Sequence, residues 1–145
     1  MSRILLLGLN SFSGYRFAES FGNKHAIIGT LRNSDGCPVP ENVTREVVPG
    51  IMDQRQMETL LAKYAPEVII NFLAMGNVDE CERNQDEAKS INLDFPIALA
   101  RVLKEKEQNC LFVQVSSNAV YDGDSPPYSE DSPKHPVNFY GETKA

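Results

Sequence analysis

Two kinds of apolar run alternate along this chain. Short runs are apolar at nearly every position, while longer stretches are apolar only every third or fourth residue. The first short run, RILLLG at 3–8, fits a strand covered on both faces, as strands of parallel sheets are. It breaks into the Gly/Ser/Asn turn of GLNSFSG, and Phe12–Phe21 follows with Phe17, Ala18 and Phe21 at helical spacing. HAIIGTLRN is a second short strand, and the turn-rich SDGCPVPEN after it is a loop. REVVPG predicts a short third strand. Asp53 then stands where it can cap QRQMETLLAKYA, whose Met57, Leu60, Leu61 and Tyr64 share one face. Pro66 stops that helix, and EVIINFLA is the fourth strand. Residues 77–109 are helical in pattern and predict two helices meeting near Asn92. CLFVQVSS is the fifth apolar run, and a loop with Pro126, Pro127, Pro133 and Pro136 leads to NFYGETKA. Strands alternating with helices predict an α/β fold, a doubly wound parallel sheet with helices on both faces and about five strands.

Composition narrows the function classes. The 145 residues suit one domain with a single core, and 41% apolar with 23% charged residues is ordinary for a globular protein. A net charge of −6 argues against a nucleic-acid partner, which would need clustered Lys and Arg. No apolar run has the length of a membrane span, and ILLLG is too short for a signal-peptide core. Cys37, Cys81 and Cys110 are odd in number and widely spaced, so reduced thiols in the cytoplasm are expected. With His25 and His135 far apart, no metal site is expected. The charge run KEKEQ at 104–108 reads as the solvated end of a helix.

Three features carry chemistry. Gly8, Ser11 and Gly14 sit where the first strand turns into the first helix, and a dinucleotide turn needs small residues there. The backbone must bend sharply, and its N–H groups must approach a pyrophosphate at a helix N-terminus. The spacing resembles the Gly-x-x-Gly-x-x-Gly turn of short-chain dehydrogenases, with Ser11 replacing the middle glycine; a Cβ is tolerable there if φ is negative. At the end of the second strand stand Thr30, Leu31 and Arg32, with no carboxylate before Asp35. Arg32 could pair with a 2′-phosphate and favour NADP over NAD; the plain alternative is a surface arginine. Finally, Tyr140 and Lys144 lie four apart, so on a helix both point to one side. A lysine ammonium beside a phenol favours the phenolate, which can exchange a proton with a substrate oxygen. Ser117 follows the fifth apolar run, where doubly wound folds bind ligands, and its hydroxyl could bond the same oxygen.

The segment SSNAVYDGDSPPYSEDSPKHPVNFYGETK is similar to the corresponding part of dTDP-4-dehydrorhamnose reductases, in the extended short-chain dehydrogenase superfamily. INFLAMGNVDECE resembles that family's segment after the fourth strand. The resemblance implies a Rossmann-type fold with Tyr140 as general acid, Lys144 as its partner and ribose ligand, and Ser117 as substrate hydrogen-bonder. It implies a cofactor surface of Gly8, Asn10, Ser11, Phe12, Ser13, Gly14, Arg32, Phe72, Leu73, Ala74, Met75 and Ser116, shared with Tyr140 and Lys144. The cofactor expected is NADP, with NAD possible, the substrate a nucleotide-sugar, and a homo-oligomer is compatible. Related reductases continue past the Tyr–Lys helix, so residues 1–145 are expected to be an NAD(P)-binding domain lacking its substrate domain, and inactive alone. Three departures stand out. Asn118 replaces a usual aspartate, and Gly50 stands where an aspartate often precedes the adenine contact, leaving Ile51 and Asp53 as substitutes. Asn118 and Ala119 replace the Asp-Glu pair of dehydratases, which argues against dehydration. A nucleotide-sugar 4-epimerase, or a non-catalytic binding subunit like the regulatory subunit of methionine adenosyltransferase, is the alternative.

Overall fold

The computed structural model describes residues 1–33 and 38–145. Asp35, Cys37 and the SDGC part of the loop predicted after the second strand lie outside the described residues. The chain forms two compact units, residues 1–73 with 95–115, and residues 74–94 with 116–145.

The first unit holds a five-stranded sheet of β1 (Arg3–Leu7), β2 (Ala26–Leu31), β3 (Val43–Val47), β4 (Val68–Asn71) and β5 (Leu111–Gln114). Every pairing is parallel, and the order is β3-β2-β1-β4-β5. This is the doubly wound α/β arrangement that the alternating runs predict. Because side chains alternate across a strand, β1 divides its leucines and isoleucine between two cores. Leu5 and Leu7 join Ile28 and Ile69 against α2 (Gln54–Tyr64) and α5 (Phe95–Glu105), through Met57, Leu60, Leu61, Leu99 and Val102. Ile4 and Leu6 join Ile27, Leu31 and Ile70 against α1 (Phe12–Phe21), through Phe17 and Ala18. Gly29 leaves the room that Leu9 fills: a Cβ there would stand 2.6 Å from a Leu9 methyl. The helices therefore cover both faces.

Local signals set most boundaries. Asp53 caps α2 in a capping box, its carboxylate accepting from Gln56 N at 2.8 Å while Gln56 Oε1 accepts from Asp53 N at 2.9 Å. Ala65, at φ 41°, closes α2 ahead of Pro66. The third strand begins at Val43, ahead of the predicted REVVPG.

The predicted pair of helices meeting near Asn92 is corrected. The pattern instead forms α3 (Val78–Arg83), α4 (Gln85–Lys89), a π-helical turn over Ser90–Asp94, and α5. The break falls at Asn84, with φ −126° and ψ 58°, outside helical space. At Asn92 the helix widens and does not break. Pro96 has no N–H for the carbonyl of Asn92 and its ring would crowd that oxygen, and a π turn relieves both.

The second unit carries α3, α4, the π turn, a 3₁₀ turn at Asn118–Val120 and α6 (Phe139–Lys144). Its apolar core is small: Cys81, Ala88, Ile91 and Val120 are buried. In its loop the rings of Tyr121 and Tyr128 stack 4.4 Å apart. The Tyr128 hydroxyl donates to the Asp122 carboxylate, which holds that carboxyl below its usual range.

Candidate functional site

In the first unit, β1 delivers the chain into the turn at Gly8, whose φ of +84° lies in the left-handed region that favours glycine. A Cβ on Gly8 would also stand 3.0 Å from the backbone nitrogen of Leu73, so the turn lies directly against the Phe72–Leu73 backbone. Ser11 organises the rest. Its hydroxyl donates to Gly8 O at 2.8 Å and accepts from Gly14 N at 3.0 Å, making it the N-cap of α1. Its φ is −72°, so the serine sits without strain where the family turn has a glycine. Gly14 is buried, and a Cβ there would run into the Gly8 carbonyl oxygen. Asn10, Phe12 and Ser13 are exposed, Phe12 at 81%. Phe12 and Ser13 are the first residues of α1, where backbone N–H groups have no intrahelical acceptor. The turn therefore presents amide hydrogens at a helix N-terminus, a cradle for an anion.

Arg32 is exposed just past β2. Phe72 packs against the core under α1, and Leu73 against the core under α2 and α5. The Leu73 N–H donates to Asn71 Oδ1 at 3.0 Å, and Asn71 Nδ2 donates to Gln114 Oε1 at 2.8 Å. Asp53 is engaged as the α2 cap. It also lines a groove of about 400 Å³ between α2 and the end of β3, with Val47, Val48, Met52, Leu60 and Lys63. Gly50 has φ +79° and serves the turn there.

The second unit brings together Ser116, Ser117, Tyr140 and Lys144, with Ala74 exposed and Met75 half-buried in the same unit. Ser117 is the N-cap of the 3₁₀ turn: its hydroxyl accepts from Ala119 N at 3.2 Å and faces Asn118 Oδ1 at 3.5 Å. Asn138 caps α6, accepting from Gly141 N at 2.8 Å, so Tyr140 and Lys144 lie on one helix at the predicted i, i+4 spacing. α6 packs against the 3₁₀ turn that Ser117 begins. Burial pushes the Lys144 ammonium below the usual lysine range. Ser116 donates its hydroxyl proton to the Lys144 carbonyl at 3.3 Å. Among the described residues, no group of His, Cys, Asp and Glu is placed to hold a metal ion, and no helix is long and apolar enough to cross a membrane.

Sequence reasoning missed the residues that hold α6. Asn92, in the π turn, is buried and fully used. Its Oδ1 accepts from Met75 N at 2.8 Å, and its Nδ2 donates to Met75 O at 3.1 Å and Thr143 Oγ1 at 3.0 Å. Thr143, also buried, donates to Tyr140 O at 2.7 Å. Glu82 accepts from Phe139 N at 2.7 Å, and Cys81 directs its thiol to Met75 O at 3.3 Å. The available signal was an asparagine on an apolar helical face four residues before a proline.

A glycine turn after the first strand of a doubly wound sheet, with a serine and a Tyr–Lys helix downstream, is the arrangement of extended short-chain dehydrogenases. The chain belongs to the RmlD substrate binding domain family, whose model matches residues 2–145. Over 109 residues it is 34% identical to methionine adenosyltransferase 2 subunit beta of Xenopus laevis, a match covering 75% of this chain and 32% of that protein. A hypothetical dTDP-4-dehydrorhamnose reductase of Sulfolobus tokodaii superposes with a TM-score of 0.81 at 27% identity, over 98% of this chain and 49% of that one. UDP-glucose 4-epimerase of Brucella ovis, solved with NAD, shares the fold at a TM-score of 0.86 and 23% identity, over 99% of this chain and 45% of its own. The chain thus spans about a third of the length of this curated relative and about half of these solved ones.

Proposed function

We propose that the natural full-length protein carrying this chain reduces a 4-keto nucleotide-sugar with NADPH. The observation that carries this reading is the second unit's Ser117, Tyr140 and half-buried Lys144, on a capped helix packed against the serine's own turn. The Gly8–Gly14 cradle fits a dinucleotide pyrophosphate: it presents helix N-terminal amides, and its glycines leave space that Cβ atoms would fill. The bound cofactor would supply hydride to the carbonyl carbon. Tyr140 would donate the proton to the carbonyl oxygen, which Ser117 would orient through its hydroxyl. Lys144, whose ammonium burial holds below the usual lysine range, would hold the phenol and the ribose hydroxyls. Asn118 and Ala119 offer no acid–base pair beside the serine, which favours reduction over dehydration.

A second reading, a non-catalytic binding subunit, is favoured by the 34% identity to a methionine adenosyltransferase subunit. One assay separates the readings. A reductase consumes NADPH stoichiometrically with a 4-keto nucleotide-sugar, an epimerase shows no net consumption, and a binding subunit binds dinucleotide without turnover. Absence of net oxidation across such substrates would overturn the reductase reading. Arg32→Ala should raise the Kd for NADPH several-fold and leave that for NADH unchanged; equal effects would remove Arg32 from the 2′-phosphate.

A further inference from the structure

Gly141 follows Tyr140 directly, precedes Lys144 by three residues, and is buried. A Cβ on this residue would run into the carbonyl oxygen of Ala119. It would also stand 2.9 Å from the Pro136 Cβ and 3.1 Å from the Ala119 carbonyl carbon. The obstructing atoms at Ala119 are backbone, so no rotamer change can clear them. Gly76, in the same unit, has open space where a Cβ would stand, so close approach is a property of the Gly141 site. Ala119 belongs to the 3₁₀ turn that Ser117 caps. The α6 backbone is therefore seated on the turn that presents the serine.

We propose that Gly141 is a positioning residue: its missing side chain sets how deeply α6 seats on the Ser117–Val120 turn, and so fixes Tyr140 and Lys144 relative to Ser117. The inference rests on the Ser–Tyr–Lys reading above. Restoring ordinary van der Waals separation from the Ala119 carbonyl would lift α6 by roughly 1 Å. A displacement of that size between groups that must meet one oxygen can cost about 100-fold in rate. Local helix preference points the opposite way, since alanine is the better helix former. A glycine kept for no reason would give a more stable protein when replaced by alanine.

The test is Gly141→Ala in the natural full-length protein, with Glu142→Ala, an exposed neighbour in α6, as control. Three kinds of measurement are made: thermal unfolding, kinetics and binding (kcat, KM and dinucleotide Kd), and the NMR titration of the Lys144 ε-carbon, assigned by Lys144→Met. Gly141→Ala should lower Tm and reduce kcat about 10- to 100-fold, with a smaller change in dinucleotide Kd. It should also move the Lys144 titration up toward the ordinary lysine value as burial is relieved. Glu142→Ala should leave all three near wild type. A raised Tm with kcat within twofold of wild type overturns the proposal, as does a kcat loss with the Lys144 titration unmoved. Should Gly141→Ala fail to fold, Gly141→Ala is combined with Ala119→Gly, which loosens the turn, and compared with Ala119→Gly alone; a double variant with the kcat of Ala119→Gly overturns the proposal, and one with a further reduced kcat supports it. If wild type turns over no 4-keto nucleotide-sugar, the functional reading fails, and the Lys144 titration alone decides the role of Gly141.

Discussion

The turn after β1 in the first unit and the helix α6 in the second each carry proposed functional residues, and their caps and supports span different lengths of chain. The turn is tied by contacts three residues apart, Ser11 to Gly8 and Gly14 to Ser11, and by a positive φ that glycine supplies at no steric cost. α6 also has a local cap, Asn138. Its further supports come from 51 residues away at Asn92, 57 at Glu82 and 28 at Ser116. The turn also has distant neighbours, Thr30, which accepts from the Gly8 and Leu9 N–H groups, and the Leu73 backbone, but its cap and its shape are set within seven residues. α6 is held by what it packs against, the 3₁₀ turn and the side chains of Asn92 and Glu82.

The sharpest way to break the comparison is chemical. Tyr140→Phe should lower the rate of reduction about 10²- to 10⁴-fold, the range for loss of a general acid, while dinucleotide Kd stays within a few-fold. Steady-state kinetics with NADPH binding by fluorescence would check this, and near-normal turnover would remove Tyr140 from the proton-donor role. Next in size, Gly8→Ala should act on the turn of the first unit. Placing a Cβ at φ +84°, 3.0 Å from Leu73 N, should cost about 1–2 kcal/mol of stability. It should raise the dinucleotide Kd about tenfold with a smaller change in kcat; calorimetry and denaturant unfolding measure both.

A smaller effect tests the long-range support. Thr143→Val removes the hydroxyl that donates to Tyr140 O and leaves one buried Asn92 N–H without its acceptor, at a cost of about 1–3 kcal/mol. Hydrogen exchange should rise in α6 and stay unchanged in α1, and Thr143→Ser should restore both stability and protection. Equal loss of protection in the two helices would erase the distinction drawn here. The smallest effect is a pH dependence. Burial holds Lys144 below the ordinary 10.5, so between its folded value and 10.5 the unfolded chain binds more protons than the folded one. Wild type should therefore gain stability relative to Lys144→Met as pH rises through that window, the difference levelling off above it. Urea unfolding of both proteins at several alkaline pH values would measure the slope; a flat or falling difference would contradict the burial of this ammonium.

The contrast between the parts is also the contrast between what could and could not be read in advance. The sheet was legible because period-two burial of Ile4 to Leu7 leaves an uninterrupted apolar run. α2 was legible because its cap and its stop lie within a few residues of it, at Asp53 and Pro66. Whether Ser11 fits the turn depended on its φ, which only the structure supplies, at −72°. The helices between β4 and β5 were misjudged because Pro96 acts backward on Asn92 through a π turn, while the actual break at Asn84 has no proline or glycine to mark it.

By itself, then, the sequence determined the α/β class, the order of the strands, the cap of α2 and the glycine turn, and it put forward the Ser–Tyr–Lys set. Each depends on periodicity or on residues within one turn of each other, and such information is local. Tertiary structure alone decided that Asn92 bonds Met75 and Thr143, that Ser116 bonds the Lys144 carbonyl, and that Gly141 must be bare beneath Ala119. Those facts follow from which distant backbones approach each other. A buried donor takes whichever acceptor the fold brings within about 3 Å, and a Cβ is excluded wherever a carbonyl already occupies its place.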